Sequence, residues 1–158
     1  MISGLFWALL IAAAVSGVLG FFVLTSSRKG LANVRVIHLE SAYTLSWLLP
    51  PGCASRLHLL FPDPWPKKRH AFHRFVAPDN LAGIHRALAP GGQFFFKTDH
   101  EDYYTEATGI VGVSPLFTRL PWIHPDEFYP VTDFEQQWLH AGKPIQAARW
   151  QQRDPDAA

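Results

Sequence analysis

Residues Leu57 to Arg74 read LHLLFPDPWPKKRHAFHR, and this stretch decides the fold. Leu57-His58-Leu59-Leu60-Phe61 reads as a short buried strand. Pro62, Pro64 and Pro66 forbid its continuation, because each lacks the N–H that a ladder or helix needs and has its φ fixed. The chain therefore leaves the strand as an irregular loop that carries Asp63, Trp65 and the run Lys67-Lys68-Arg69-His70. Prolines on both sides of Asp63 predict an extended, stiff backbone, which lowers the entropy lost when a ligand is gripped. Trp65 offers a flat face and the basic run offers charge for phosphates, a pairing suited to an unstacked base on a phosphate backbone. The same composition also describes a proline-rich surface turn with solvated charges.

The neighbouring segments read as alternating strands and helices. Upstream, Val34-Arg35-Val36-Ile37 alternates as a strand, and Ser41 caps a helix over Ala42 to Leu49 that Pro50-Pro51-Gly52 closes. Downstream, Asp79 caps a helix over Asn80 to Ala89, which Pro90-Gly91-Gly92 stops before a strand over Gln93 to Lys97. A helix from Thr98 or Asp99 to about Thr108, a strand over Leu116 to Leu120, a helix over Asp133 to His140 and a strand over Ile145 to Trp150 complete the chain. These spacings favour a parallel sheet with crossover helices, an α/β fold of the doubly wound kind. Such a fold places its ligands at the carboxyl ends of the strands. Glu40, the Asp63 loop and Thr98-Asp99 all fall at that edge.

Composition bounds the rest. The chain has 158 residues, 48% of them hydrophobic and 17% charged, which fits one domain and excludes a disordered chain. The single cysteine, Cys53, excludes an internal disulfide framework and a multi-cysteine zinc site. His70 and His73 have no carboxylate or thiol beside them at ligand spacing, so no metal site is expected. A net charge of +1 conceals an uneven distribution. Arg56 to Arg74 holds five Lys/Arg against one Asp, and Asp99 to Glu135 holds eight Asp/Glu against one Arg.

The head of the chain has no charge at all. Ile2 to Leu24 reads ISGLFWALLIAAAVSGVLGFFVL and is followed by Arg28, Lys29 and Arg35. A helix of that length would span roughly 35 Å, enough for a bilayer core, with the remainder on the cytoplasmic side by the positive-inside rule. An apolar helix that contacts a membrane is the favoured expectation for these residues. An interior segment of an α/β fold is the alternative. The chain then divides into an apolar segment (1–27), the α/β portion (30–152) and a short tail (153–158).

Phe61-Pro62-Asp63-Pro64-Trp65-Pro66-Lys67-Lys68-Arg69-His70 resembles the signature of the bacterial tRNA (guanine-N(7)-)-methyltransferase family. Ala89-Pro90-Gly91-Gly92 followed by Lys97-Thr98-Asp99 is similar to that family's next strand and loop. Pro130-Val131-Thr132-Asp133-Phe134-Glu135 resembles its C-terminal T-x-F-E motif, and Gly30-Leu31-Ala32-Asn33-Val34-Arg35-Val36 its approach to the third strand. The resemblance implies a Rossmann-like methyltransferase fold, S-adenosylmethionine as methyl donor and tRNA as partner, with the variable-loop guanine as acceptor. It further implies that Glu40 and Asp63 contact the cofactor and that Asp63 is the catalytic aspartate. Lys67, Asp99, Thr132, Asp133, Phe134 and Glu135 stand at the substrate-contacting positions. The expected location is cytoplasmic, with membrane association through the apolar head as the second option, and the oligomeric state stays open between monomer and homodimer.

The chain also departs from that pattern. No E-x-G-x-G loop is present, and Gly4, Gly17, Gly20 and Gly30 lie among apolar residues. The apolar head stands where the first strand, first helix and second strand belong, so the doubly wound fold is expected to be incomplete at the N-terminus. Ala71, Phe72 and Phe75 replace part of a more basic tract, and Glu40 replaces a more usual Asp. These departures keep a second expectation in view, a membrane-tethered and catalytically silent remnant that binds RNA through Lys67 to Arg74.

Overall fold

The computed structural model describes residues 8–12, 37, 39–122, 129 and 131–154. Five strands form one mixed sheet: β1 (Ala8–Ala12), β2 (Ala54–Leu60), β3 (Leu88–Thr98), β4 (Phe117–Leu120) and β5 (Gln146–Gln152), in the order β1-β2-β3-β5-β4. The helices are α1 (Ser41–Tyr43, continued by a wider turn over Thr44–Leu48), α2 (Pro78–Ala87), α3 (Glu101–Gly112) and α4 (Asp133–His140). A 3-10 turn spans Lys68–His73.

Within the apolar head, Ala8–Ala12 is a strand that pairs parallel with β2, with Leu10 opposite His58, as the alternative of a segment inside the α/β fold expects for these five residues. An uncharged apolar run has no polar face to distinguish a buried helix from a buried parallel strand. The open edge of β2 supplies N–H and C=O partners that decide for the strand. The rest of the expected head helix and most of the Val34–Ile37 strand lie outside the described residues. Among the described residues, no helix is long and apolar enough to cross a membrane.

Strands β1, β2 and β3 are parallel, as the strand–helix alternation predicts. Strand β5 is not: it runs antiparallel to β3, with Thr98 opposite Gln146, and β4 runs antiparallel to β5. A fully parallel sheet would return the chain after β4 to the amino edge. The reversal instead keeps α4 at the carboxyl edge.

One face of the sheet is dry. Leu57, Leu59, Phe94, Phe96, Ala148 and Trp150 are each at most 1% exposed. They lie under Leu81, Ile84 and Ala87 of α2 and Tyr103, Ala107 and Val111 of α3. The spacings of those helical residues place them on one stripe of each helix. The Tyr103 hydroxyl accepts from the backbone N–H of Val76 at 3.1 Å, which satisfies both groups in the core.

Helix ends differ from expectation in informative ways. The carboxylate of Glu40, not Ser41, caps α1, accepting from the N–H groups of Ala42 (2.9 Å) and Tyr43 (2.6 Å). Asp79 sits in the first turn of α2 behind Pro78, and no side chain caps that helix. Helix α2 ends at Ala87, before Pro90-Gly91-Gly92, and those residues form an irregularity inside β3. Gly91 has φ +72°, and a Cβ on Gly92 would lie 2.8 Å from the Ala89 carbonyl oxygen, so both positions demand glycine. His100 caps α3 through Nδ1, which accepts from the Tyr103 N–H at 3.4 Å. Thr132 caps α4, its Oγ1 accepting from the Glu135 N–H at 3.1 Å.

Candidate active site at the carboxyl edge of the sheet

Strands β2 and β3 end side by side, and the Phe61 N–H donates to the Lys97 carbonyl at 2.8 Å. The Asp63 loop and Thr98-Asp99 therefore emerge next to each other, as a ligand site in this kind of sheet requires. The loop is not extended throughout. Phe61 and Trp65 take left-handed conformations, with φ of +48° and +42°, so the chain turns sharply on either side of Pro62-Asp63-Pro64. Non-glycine residues held there store strain of roughly 1–3 kcal/mol each. The Asp63 side chain supports the second turn, with Oδ1 accepting from the Trp65 N–H at 3.0 Å. That leaves one carboxylate oxygen of an exposed aspartate without a partner among the described residues.

The C-terminal motif reaches the same place. The ring of Phe134 meets Phe61 edge-on at 4.9 Å between centroids. Thr132-Asp133-Phe134-Glu135 has the form of a capping box, in which the glutamate would fold back to its own helix start. Thr132 plays its part. The Glu135 carboxylate instead turns to Lys97 of β3, with Oε1 2.5 Å from Nζ. Both side chains are buried, at 9% and 6% exposed, and Oε2 of Glu135 is buried with no hydrogen-bond partner among the described residues. Three stretches distant in the sequence, 61–67, 97–99 and 132–135, thus converge on one edge.

Lys97 belongs to a second cluster, on the sheet face opposite the dry one. Its ammonium lies 4.5 Å from the ring centre of Tyr129 and 5.5 Å from that of Trp122. His58 stacks on Phe95 at 4.5 Å, and its Nδ1 is 3.0 Å from the Tyr129 hydroxyl. Burial, reinforced by the positive charges of Arg56 and Lys97, pushes the His58 imidazole down to about 4, so it is neutral at pH 7. Burial and the Glu135 charge push the Tyr129 phenol up to about 12.

The remaining predicted residues occupy distinct places. Lys67 is exposed at the start of the 3-10 turn, its carbonyl accepting from the His70 N–H. Asp99 is half-buried just past β3. Asp133 is exposed in the first turn of α4. Glu40 is not brought into contact with the other candidates: its hydrogen bonds run to Ala42, Tyr43 and Thr44 of its own segment. The basic block read from the sequence is also split. Arg56 lies on β2 with its guanidinium 5.8 Å from the Phe95 ring. Arg74 is buried: Nε donates to the Pro64 carbonyl at 2.7 Å, Nη1 pairs with Glu106, and the guanidinium lies 5.1 Å from the Tyr103 ring.

Sequence reasoning thus missed two residues. Arg74 anchors the Asp63 loop to α3, and Lys97 redirects Glu135. A charged side chain inside the aromatic strand Phe94-Phe95-Phe96-Lys97 was the one available signal for the second. The first had none, because its partner lies 32 positions away.

Comparison with known proteins agrees with this architecture. A family model described as "Putative methyltransferase" matches residues 16–148. The tRNA (guanine-N(7)-)-methyltransferase of Azorhizobium caulinodans is 44% identical over 116 residues, covering 70% of this chain and 50% of that protein. The enzyme of the same name from Mycobacterium leprae is 33% identical over 129 residues, covering 80% of this chain and 56% of the other. The chain spans about half the length of the curated relatives it matches. Among solved structures, a SAM-dependent methyltransferase from Aquifex aeolicus superposes with a TM-score of 0.56 at 12% identity, covering 91% of this chain and 67% of that one. An rRNA methylase from Streptococcus thermophilus does so with a TM-score of 0.55 at 13% identity, covering 93% and 73%. The sheet is that of a Rossmann-like methyltransferase, and the chain, matched along most of its length by the family model, belongs to that methyltransferase family.

Proposed function

We propose that this chain acts in S-adenosylmethionine-dependent methylation of guanine N(7) in the variable loop of tRNA. The observation that carries the reading is the convergence of Asp63, Lys97-Thr98-Asp99 and Thr132 to Glu135 on one sheet edge. Relatives that bear the name of this activity support it.

Asp63 fits the cofactor assigned to it, because its exposed carboxylate keeps one oxygen open for an ammonium or hydroxyl group. Glu40 fits less well, since both of its oxygens already accept from backbone N–H groups. When bound, S-adenosylmethionine supplies an electrophilic methyl group. Guanine N(7) has a lone pair and no proton, so the chain has no proton to remove and its task is placement. The purine gains positive charge, and a preorganised carboxylate such as Asp63 stabilises that charge as it develops. Asp99 supplies an acceptor for the imino and amino edge of guanine, Lys67 supplies charge for a phosphate, and Glu135, buried against Lys97, fits a positioning role better than a direct contact.

The test is methyl transfer from labelled S-adenosylmethionine to tRNA by the 158-residue chain and by Asp63→Asn. The substitution keeps the shape and removes the charge, and transfer is expected to fall on the order of 10²–10³-fold. Full activity in the variant overturns the role of Asp63. No transfer by the unsubstituted chain overturns the reading for this chain.

A further inference from the structure

Helix α1 is apolar on both of its sides, and only one side is covered. Leu45 and Thr44 are buried, at 1% and 7% exposed. Gly83 of α2 comes so close there that a Cβ on it would lie 3.3 Å from Ser46 Oγ. On the other side Trp47 is 74% exposed, and Tyr43 and Leu48 are about half exposed. The wider turn explains why these three share a side. The Leu49 N–H donates five residues back, to the Thr44 carbonyl at 3.1 Å, and that spacing brings Leu48 round beside Tyr43 and Trp47. An ordinary α-helical turn would carry Leu48 past Tyr43, towards the buried side. Ile37 and Leu39, exposed to a similar extent, lead into the same helix. Among the described residues, half of the exposed large hydrophobics thus lie between Ile37 and Leu48.

Single exposed hydrophobics are ordinary, whereas a group of this kind marks a contact surface. Its chemistry selects the partner. Between Arg35 and Arg56 the one charged side chain is Glu40, whose two oxygens are bound at the start of α1. Nucleic acid and anionic lipid both call for cations beside the rings, and this segment has none. A second copy of the same surface needs none: apolar attraction has no direction, and an uncharged patch turned on itself meets no like charge. Trp and Tyr are also the residues enriched at the centre of protein interfaces, where charges are depleted. The five residues expose roughly 600 Å² per copy, so a two-fold pairing would bury roughly 1,200 Å², the lower bound for a stable specific interface. The surface is also held in place before any contact forms. Arg86 of α2 donates from Nη1 to the carbonyls of Leu45 (3.0 Å) and Leu49 (2.9 Å), while Glu40 fixes the other end of the helix. Little ordering is left to oppose association.

We propose that two copies of this chain pair through α1 about a two-fold axis, with Trp47 of each copy facing its counterpart at the axis and Tyr43 and Leu48 around it. The pairing is independent of what the chain methylates.

The test is sedimentation equilibrium of the full chain at about 1 to 100 μM, a range that resolves micromolar association. The mass is expected to rise with concentration from the 17.8 kDa of one chain towards twice that value. Trp47→Glu and Trp47→Lys are compared with it. Trp47 is exposed, so neither change touches the core, and a thermal melt checks that both variants fold. Each variant alone sets like charges against each other at the axis and is expected to weaken association at least ~30-fold. An equal mixture of the two sets opposite charges there and is expected to associate more tightly than either alone.

A single-chain mass throughout the range overturns the pairing. Association unchanged in the folded variants overturns it too, because another surface then joins the copies. No recovery on mixing overturns the facing of Trp47 on Trp47. A monomeric chain that binds neutral phosphatidylcholine vesicles, and loses that binding in Trp47→Glu, overturns the second copy in favour of a lipid surface.

Discussion

The two faces of the sheet are built from the same strands and differ in almost everything else. On one, Leu57, Leu59, Phe94, Phe96, Ala148 and Trp150 form a dry apolar layer beneath α2 and α3. On the other, the alternate residues Arg56, His58, Phe95, Lys97 and Arg149 mix rings with cations, and α4 joins them through Glu135. The first face is stabilised by burial of apolar area, which is non-directional and tolerant. The second relies on a few directional contacts, each of which leaves a costly orphan when broken. Stability is concentrated on the first face and the candidate chemistry on the second.

The largest expected effect is on the dry face. Trp150→Ala removes a fully buried ring stacked on Phe94 at 5.4 Å. It is expected to destabilise by about 3–5 kcal/mol in chemical denaturation. A loss below about 1 kcal/mol would mean that this layer is not the main core.

On the opposite face, Lys97→Met leaves the Glu135 carboxylate buried without its partner and is expected to cost about 3 kcal/mol. Adding Glu135→Gln should restore most of that stability without restoring methyl transfer. A double variant as unstable as the single one would show that the pair is not coupled.

His58 provides a pH-dependent comparison. Its folded value of about 4 lies below the ordinary 6.5. The unfolded chain therefore binds the extra proton first, and the contribution of neutral His58 is fully present above pH 6.5. It is lost as pH falls from 6.5 towards 4, by at most about 3 kcal/mol. His58→Phe, which keeps the stack on Phe95, should flatten stability across that window relative to the unsubstituted chain. Identical pH profiles for the two proteins would contradict the burial of His58.

The smallest effect is expected at the helix that precedes β2. Glu40→Ala removes two backbone-bound oxygens from the start of α1 and should cost about 1 kcal/mol. Glu40→Gln, which keeps an acceptor oxygen, should cost less. A change in S-adenosylmethionine affinity at unchanged stability in Glu40→Gln would restore Glu40 to the site, where the structure shows a cap.

Much of this was legible in the residues. The strand that stops before Pro62 and the helix over Asp133 to His140 follow from local rules about proline and capping, whereas Pro90-Gly91-Gly92, read as a helix stop, is an irregularity inside β3. Asp63 and Asp99 were recognisable by their motifs and by their positions at strand ends, and Glu135 by its motif alone. Their grouping was only partly legible. A parallel sheet explains why Asp63 and Asp99 are neighbours but says nothing of Glu135, which arrives because β5 reverses direction.

What the sequence determined by itself is what depends on neighbours in the chain: where strands stop, which helices are capped, which residues carry charge and which runs are apolar. What only the tertiary structure decided depends on partners brought from afar. Ala8–Ala12 is a strand because β2 offers it an open edge, although its composition suits a helix equally well. Glu135 leaves its own helix end because Lys97 lies 38 positions away in sequence and 2.5 Å away in space. Arg74 braces the Asp63 loop instead of meeting a phosphate because Glu106 reaches it from α3. In each case the local options are close in energy, and a single long-range partner that satisfies a buried charge or an open strand edge is enough to choose between them.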